Sequence, residues 1–252
     1  MALSNFQLLG ILNDMLKPEL IQDGCPNGLQ VEGRATVATL VTGVTASQAL
    51  IDRAIELNAD AIFVHHGYFW RGEDMTITGM KKNRLAALLK HDINLYAYHL
   101  PLDVHPTLGN NVQLAQRLGI ANIENLEAAK VSIALKGEFS ESLSVEQLTK
   151  RIEHTLGRVP LVEPAQKPLI NSVAWCTGGG QKYIDLAARL GIDAFITGEV
   201  SEQTIHTARE MNIHFFAAGH HATERFGAQA VGEFLAIHHG LDVQFVDIAN
   251  PA

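Results

Sequence analysis

Val41-Thr42-Gly43, followed by Ile51-Asp52, Leu57 and Asp60-Ala61, is echoed by Cys176-Thr177-Gly178, followed by Ile184-Asp185, Leu190 and Asp193-Ala194. In both copies the aspartate of Asp-Ala stands nine positions after the isoleucine of Ile-Asp. Short apolar runs fall at 40–45, 61–64 and 93–98 in the first half, and at 173–176, 194–197 and 213–217 in the second. A further run lies at 243–246. Helical patterns lie between them, at 47–57, 81–90 and 111–118 and again at 182–190, 202–210 and 223–237. Continuous apolar strands alternating with helices describe a mostly parallel sheet covered on both faces.

The sequence therefore predicts an α/β protein of two related lobes in pseudo-two-fold arrangement, with a site in the cleft between them. Residues 1–125 form the first lobe and 126–252 the second, whose segment 126–167 is a divergent link. Ser144-Val145-Glu146-Gln147 in that link reads as a capping box opening a helix to His154.

Composition narrows the function. The chain has 252 residues and is 47% hydrophobic, enough for a sizeable core. Its formal net charge of −8 argues against a surface built to neutralise nucleic-acid phosphate. Cys25 and Cys176 are too few for a disulfide framework and lack metal-type spacing, so both are expected as reduced thiols. No stretch reaches the roughly 20 apolar residues of a membrane span, and the start lacks signal-peptide character. A cytoplasmic protein is expected.

Twelve histidines are present, six of them in the adjacent pairs His65-His66, His220-His221 and His238-His239. Ligands in open α/β sheets bind beyond the carboxyl ends of strands. One strand runs into His65-His66-Gly67, the next into His99-Leu100-Pro101-Leu102-Asp103-Val104-His105, and a third into Gly219-His220-His221-Ala222-Thr223-Glu224. Imidazoles and carboxylates without thiolates suit a pair of divalent ions such as Zn, Mn, Fe, Co or Ni. His238-His239-Gly240 instead ends a helix, where cations favour the dipole, and carries no assigned chemistry.

Four other features have both a structural and a chemical reading. Thr177-Gly178-Gly179-Gly180 stands between strand and helix, so Gly178, Gly179 and Gly180 make either a tight turn or a phosphate dock. Glu199 occupies the repeat position of His66, as a ligand-orienting group, a proton-transfer group or a helix cap. His99 and His105 flank Asp103 as proton carriers or strand-end residues, with Pro101 expected to hold an extended turn. Tyr68, Phe69 and Trp70 either pack the loop or offer a stacking surface for a planar substrate. Asn27-Gly28 reads as turn chemistry.

Pro26-Asn27-Gly28-Leu29-Gln30-Val31, the run from Val64 to Trp70, His99 to Asp103, Thr197-Gly198-Glu199-Val200 and Gly219 to Arg225 together resemble the YbgI-like proteins of bacteria. These lie within the Nif-three-like family, often labelled GTP cyclohydrolase I type 2 homologues. The resemblance implies a dinuclear metal centre on His65, His66, Asp103, His220 and Glu224, in a toroidal homohexamer. His220 is preferred to His221 because the family places its histidine four residues before the glutamate. The resemblance does not settle an activity; the open set of imidazoles and carboxylates, with the glycine turn and the aromatic run, suggests a metal-dependent hydrolase acting on a nucleotide or related heterocycle, with Glu199 or His99 assisting proton transfer. Ring-opened or damaged nucleotides are a narrower substrate class. The competing readings are a non-enzymatic metal-containing ring that binds DNA or a protein, and a metal store.

Overall fold

Asp60 and Asp193 show why the repeat exists. Asp60 Oδ2 accepts the backbone N–H groups of Ala38 (2.8 Å) and Thr39 (2.9 Å), and its Oδ1 pairs with Arg34 Nη1 (2.8 Å). Asp193 Oδ2 accepts those of Asn171 (3.1 Å) and Ser172 (3.0 Å), and its Oδ1 pairs with Lys167 Nζ (2.9 Å). The sequence separations are 26, 22 and 21 in both copies. Each aspartate thus ties the loop before one strand to the start of the strand before it, satisfying amides that the ladder leaves over.

The computed structural model describes residues 2–252. In chain order it runs β1 Leu3–Ser4, α1 Asn5–Leu16, β2 Gly28–Val31, β3 Thr36–Val37, β4 Thr39–Thr45, α2 Gln48–Glu56, β5 Ala61–His66, α3 Gly79–Lys90, β6 Asn94–Ala97 and α4 Leu100–Val104. It continues with α5 Asn110–Leu118, β7 Ile120–Asn125, β8 Leu135–Leu143, α6 Val145–Leu156, β9 Leu161–Glu163, β10 Ile170–Cys176, α7 Ile184–Arg189, β11 Ala194–Thr197, α8 Glu202–Glu210, β12 His214–Ala217 and α9 His220–Thr223. Helix α10 Arg225–His239 and β13 Asp242–Phe245 close the chain.

Two units result: Met1–Leu108 with Gly227–Ala249, and Gly109–Phe226 with Asn250–Ala252. The boundary expected at 125/126 therefore falls earlier, and the chain returns to the first unit near its end. The cause lies in α10 and β13. Ala228, Val231 and Leu235 bury against Leu40, Phe63 and Leu8, while β13 pairs in parallel with β4.

The first unit's sheet has the order β13-β4-β5-β6-β2, with only β2 antiparallel. Alternate strand residues feed opposite layers. Ile62 and Val64 meet Leu50, Ile51, Leu85 and Leu88 of α2 and α3, whereas Ala61 and Phe63 meet α1 and α10. Helix α1 shows how directly the sequence encodes this. Ser4 and Gln7 form a reciprocal cap, and Leu8, Leu12 and Leu16 make its buried stripe.

The second unit's sheet has the order β7-β8-β10-β11-β12-β9. Its core β10-β11-β12 is parallel, but β8 and β9 pair antiparallel at its sides and β7 antiparallel to β8. These additions come from the divergent 126–167 link and the residues just before it. Helices α5 and α6 cover one face through Leu114, Leu118, Leu148 and Ile152, and α7 and α8 the other through Ile184, Ala187 and Ala208.

Strand pairing corrects one detail of the repeat. Thr42 and Gly43 pair with Phe63 and Val64, and the equivalent partners in the second unit, Ile196 and Thr197, face Trp175 and Cys176. The Thr-Gly echo at Thr177-Gly178 is therefore two residues out of register, beyond the strand. The Ile-Asp and Asp-Ala echoes are in register.

Candidate metal centre

In the first unit, His65 and His66 are the last residues of β5. Their rings lie 4.4 Å apart, centroid to centroid, and the His99 ring lies 5.1 Å from His65 and 5.7 Å from His66. One ring nitrogen from each of the three comes within 4.8 Å of the other two, a group able to hold a metal ion. His65 is fully buried and donates from Nδ1 to the Tyr98 carbonyl (3.1 Å), which leaves the Nε2 lone pair as its donor to a ligand. Its Nε2 stands 3.5 Å from Asp103 Oδ1. His66 Nδ1 is tied to Thr45 Oγ1 (3.1 Å), the residue opposite it on β4.

Asp103 arrives on α4. Pro101 does not hold an extended turn there; it sits in the first turn of this short helix, where its missing N–H costs nothing. Helical backbone after His99 is what brings Asp103 back towards His65.

His99 is gripped by a segment that sequence reasoning passed over. Asp23 Oδ1 accepts from His99 Nδ1 (2.8 Å), Asp23 Oδ2 accepts the Leu100 N–H (2.9 Å), and Asn27 Oδ1 accepts the His99 N–H (2.7 Å). Burial alone would raise the Asp23 carboxyl, but hydrogen bonds from His99 and Asn27, the His99 charge and the Leu100 amide hold it down to about 2. Asn27 is thus more than turn chemistry. Its only sequence signal was membership of the Pro26-Asn27-Gly28 stretch, and Asp23 had none. Cys25 lies between them, its thiol pushed up to about 12 by burial and by Asp23, so it stays protonated. Neither cysteine is in a disulfide.

The aromatic run divides. Tyr68 is buried, its hydroxyl donating to Ala46 O (2.6 Å), and is packing. Phe69 is exposed, with Lys81 over its ring. Trp70 stands edge-on to His99 at 4.8 Å and tilted 6.2 Å from His66. His105 is a turn cap whose Nδ1 accepts the Leu108 N–H (3.0 Å).

In the second unit, His220 opens α9 and Glu224 follows it, so one helical turn faces them together. His220 Nε2 lies 3.1 Å from Glu224 Oε2 and its Nδ1 2.7 Å from Glu199 Oε1. The hydrogen bond to Glu224 chiefly, against the opposing effect of burial, and then the Glu224 charge and Glu199 push the imidazole up to about 9. A cation is therefore already favoured where Nε2 meets Glu224, which is where a metal ion would replace the proton. Glu199 then holds the ring by its far nitrogen, as carboxylates commonly do for ligating histidines.

The Gly178–Gly180 turn packs against this pair. The Gly178 and Gly180 amides donate to Thr223 Oγ1 and Thr197 Oγ1 (3.0 Å each). A Cβ on Gly178 would strike the Glu224 carboxylate, and one on Gly180 would strike Cys176. Two of the amides offered to a phosphate are thus committed to threonine hydroxyls. Close packing accounts for Gly178 and Gly180.

Two α/β units of this topology, with imidazole and carboxylate sets at their strand ends, define a family. The chain belongs to the Duf34/NIF3 (NGG1p interacting factor 3) family, whose model matches residues 4–251. A Vibrio cholerae relative named GTP cyclohydrolase 1 type 2 homolog is 59% identical over 251 residues, 99% of this chain and 100% of its own. A solved structure described as protein ybgI, of unknown function, superposes with a TM-score of 0.96 at 55% identity, covering 99% of this chain and all of that one. A protein from Thermus thermophilus does so with a TM-score of 0.90 at 33% identity, over 99% of this chain and 100% of its own. Among the described residues no helix is long and apolar enough to cross a membrane.

Proposed function

We propose that the protein is a metal-dependent hydrolase of a nucleotide or related heterocycle, with two divalent ions on His65, His66, Asp103, His220 and Glu224. One observation carries the reading. His65, His66 and His220 each have Nδ1 tied to an oxygen, of Tyr98, Thr45 and Glu199 respectively. Rings fixed in this way offer Nε2 in a set orientation, as ligating histidines do.

Bound ions would supply Lewis-acid activation of water and polarisation of the substrate. The chain's own groups do the rest. Glu199 orients His220 through Oε1, while its half-exposed carboxylate can take up a proton and pass it to solvent. Trp70 gives a planar base an aromatic edge beside His66. The names of the relatives point to a guanine nucleotide or its ring-opened product as the first substrates to try. The same reading includes a ring of six copies in the cytoplasm.

The test is turnover of a nucleotide panel, intact, oxidised and ring-opened, by metal-replete protein. The wild type should turn over at least one member, and Asp103→Ala should lose that activity by at least about 100-fold. No turnover across the panel, or full turnover by Asp103→Ala, overturns the hydrolase.

A further inference from the structure

Strand register gives the two units equivalent positions. Trp175 and Cys176 pair in the second unit as Thr42 and Gly43 do in the first, so Gly178 is the counterpart of Thr45, Gln181 of Gln48 and Glu199 of His66. In the first unit Thr45, opposite His66 on the paired strands, holds the His66 ring by Nδ1 at 3.1 Å. Its counterpart Gly178 has no side chain, and a Cβ there would strike the Glu224 carboxylate. Glu199, two residues past β11, therefore cannot be held from the position that holds His66.

Gln181, at the head of the short turn before α7, supplies the support instead. Its Nε2 donates to Glu199 Oε2 at 3.2 Å, while Glu199 Oε1 accepts from His220 Nδ1 at 2.7 Å. Each carboxylate oxygen then has a partner. That fixes the plane of a side chain that is 46% exposed, and through it the His220 ring. The counterpart glutamine shows that this direction is a departure. Gln48 opens α2, and its Nε2 turns along its own helix to Asp52 Oδ1, four residues on, at 2.8 Å. Asp185, the counterpart of Asp52, is taken by Thr207 Oγ1 of α8 at 3.1 Å, which leaves the Gln181 amide to Glu199. In both glutamines the carboxamide oxygen is buried and meets no donor among the described residues, so each side chain is kept inward by the bond its Nε2 makes. We propose that Gln181 is a positioning residue, whose carboxamide holds the Glu199 carboxylate in line with His220 Nδ1 and so sets the direction of His220 Nε2, as Thr45 does for His66. The proposal rests on the reading that His220 is a ligand.

The test uses full-length protein and two readouts. In metal-free protein at low temperature, the proton on His220 Nδ1 should be visible by NMR, sheltered from water by its bond to Glu199. Gln181→Leu should speed its exchange until the signal broadens or is lost, while Gln48→Leu should leave it as in the wild type. In protein titrated with Co(II) against a competing chelator, Gln181→Leu should weaken affinity about 3–10-fold, the loss of one hydrogen bond to a carboxylate. Glu199→Ala should weaken it about 10–100-fold. Adding Gln181→Leu to Glu199→Ala should weaken it no further, because a support acts only through what it supports. Thermal melts establish that each variant folds, and Gln181→Ala carries the test should Gln181→Leu fail to do so. An unchanged His220 proton signal in Gln181→Leu, a like change in Gln48→Leu, or equal losses of affinity with and without Glu199 overturns the proposal. Failure of the ligand reading looks different: His220→Ala would then keep the wild-type affinity for Co(II), and the NMR comparison would still decide whether Gln181 holds Glu199.

Discussion

Replacing Asp193 by alanine tests whether the repeated aspartate is what ties each parallel core together. The change removes hydrogen bonds from the Asn171 and Ser172 amides (3.1 and 3.0 Å), from Ser172 Oγ (3.0 Å) and from Lys167 Nζ (2.9 Å). Hydrogen bonds to a charged acceptor contribute about 1.5–3 kcal/mol each when buried. Here the amides lie at a strand start that water reaches, so about 1 kcal/mol each is the better figure. The lysine pair, partly exposed on both sides, adds less than about 1 kcal/mol. A total cost of about 3 kcal/mol follows, or a fall in Tm of about 6–12 °C for a chain of this size. Urea unfolding followed by circular dichroism should show a lowered midpoint with little change in slope. The pH dependence gives a second check. Burial raises the Asp193 carboxyl, but the Ser172 and Asn171 amides, Lys167 and the Ser172 hydroxyl bring it below its ordinary value. A depressed carboxyl stabilises fully above its unfolded pKa of about 3.9, and that contribution is lost as pH falls through the folded value. The gap between wild type and Asp193→Ala should therefore close below about pH 4. Asp60→Ala should cost a similar amount at neutral pH, because it removes the same two amide bonds and the Arg34 pair. A loss under about 0.5 kcal/mol at pH 7, or a gap undiminished at pH 3, would refute the clamp.

His214 accepts the Ala165 N–H at Nδ1 and donates from Nε2 to Lys167 O (3.0 Å each), which requires the neutral ring, and burial lowers its pKa. Its stabilisation is present above about pH 6.5 and is lost as pH falls through the lower folded value. Melting curves from pH 7.5 to 5 should show wild type losing Tm faster than His214→Gln; parallel curves would contradict this. Gly178 has φ +65° and abuts the Glu224 carboxylate. Gly178→Ala should cost at least about 1–2 kcal/mol from backbone strain alone and, on the proposed function, lower the metal content of loaded protein by displacing Glu224. Unchanged metal content by elemental analysis would show that the close approach is dispensable.

Much of this was legible from local pattern. Apolar runs and capping signals such as Ser4–Gln7 act within a few residues, so the α/β alternation and the helices could be read directly. The strand-end rule drew attention to His65, His66, Asp103, His220 and Glu224 because chemistry follows topology in open sheets. The boundary at Leu108 was not legible, since it depends on α10 docking its stripe on Phe63 and Leu40, more than 160 residues away in sequence. The two-residue slip of the Thr-Gly echo was hidden for a related reason. Similar residues recur two positions beyond the paired ones, whereas register is set by pairing and by the Asp193 clamp.

The imidazoles and carboxylates after the strands were determined by sequence, as the residue types that metal chemistry requires. Which nitrogen each ring presents is a tertiary matter. It depends on Tyr98 O, Thr45 Oγ1, Asp23 and Glu199, partners that lie 21 to 76 residues from the rings they hold. A hydrogen bond of about 3 Å is a constraint in space with no period along the chain. For that reason Asp23 was silent in the sequence, and only the folded unit shows it gripping His99.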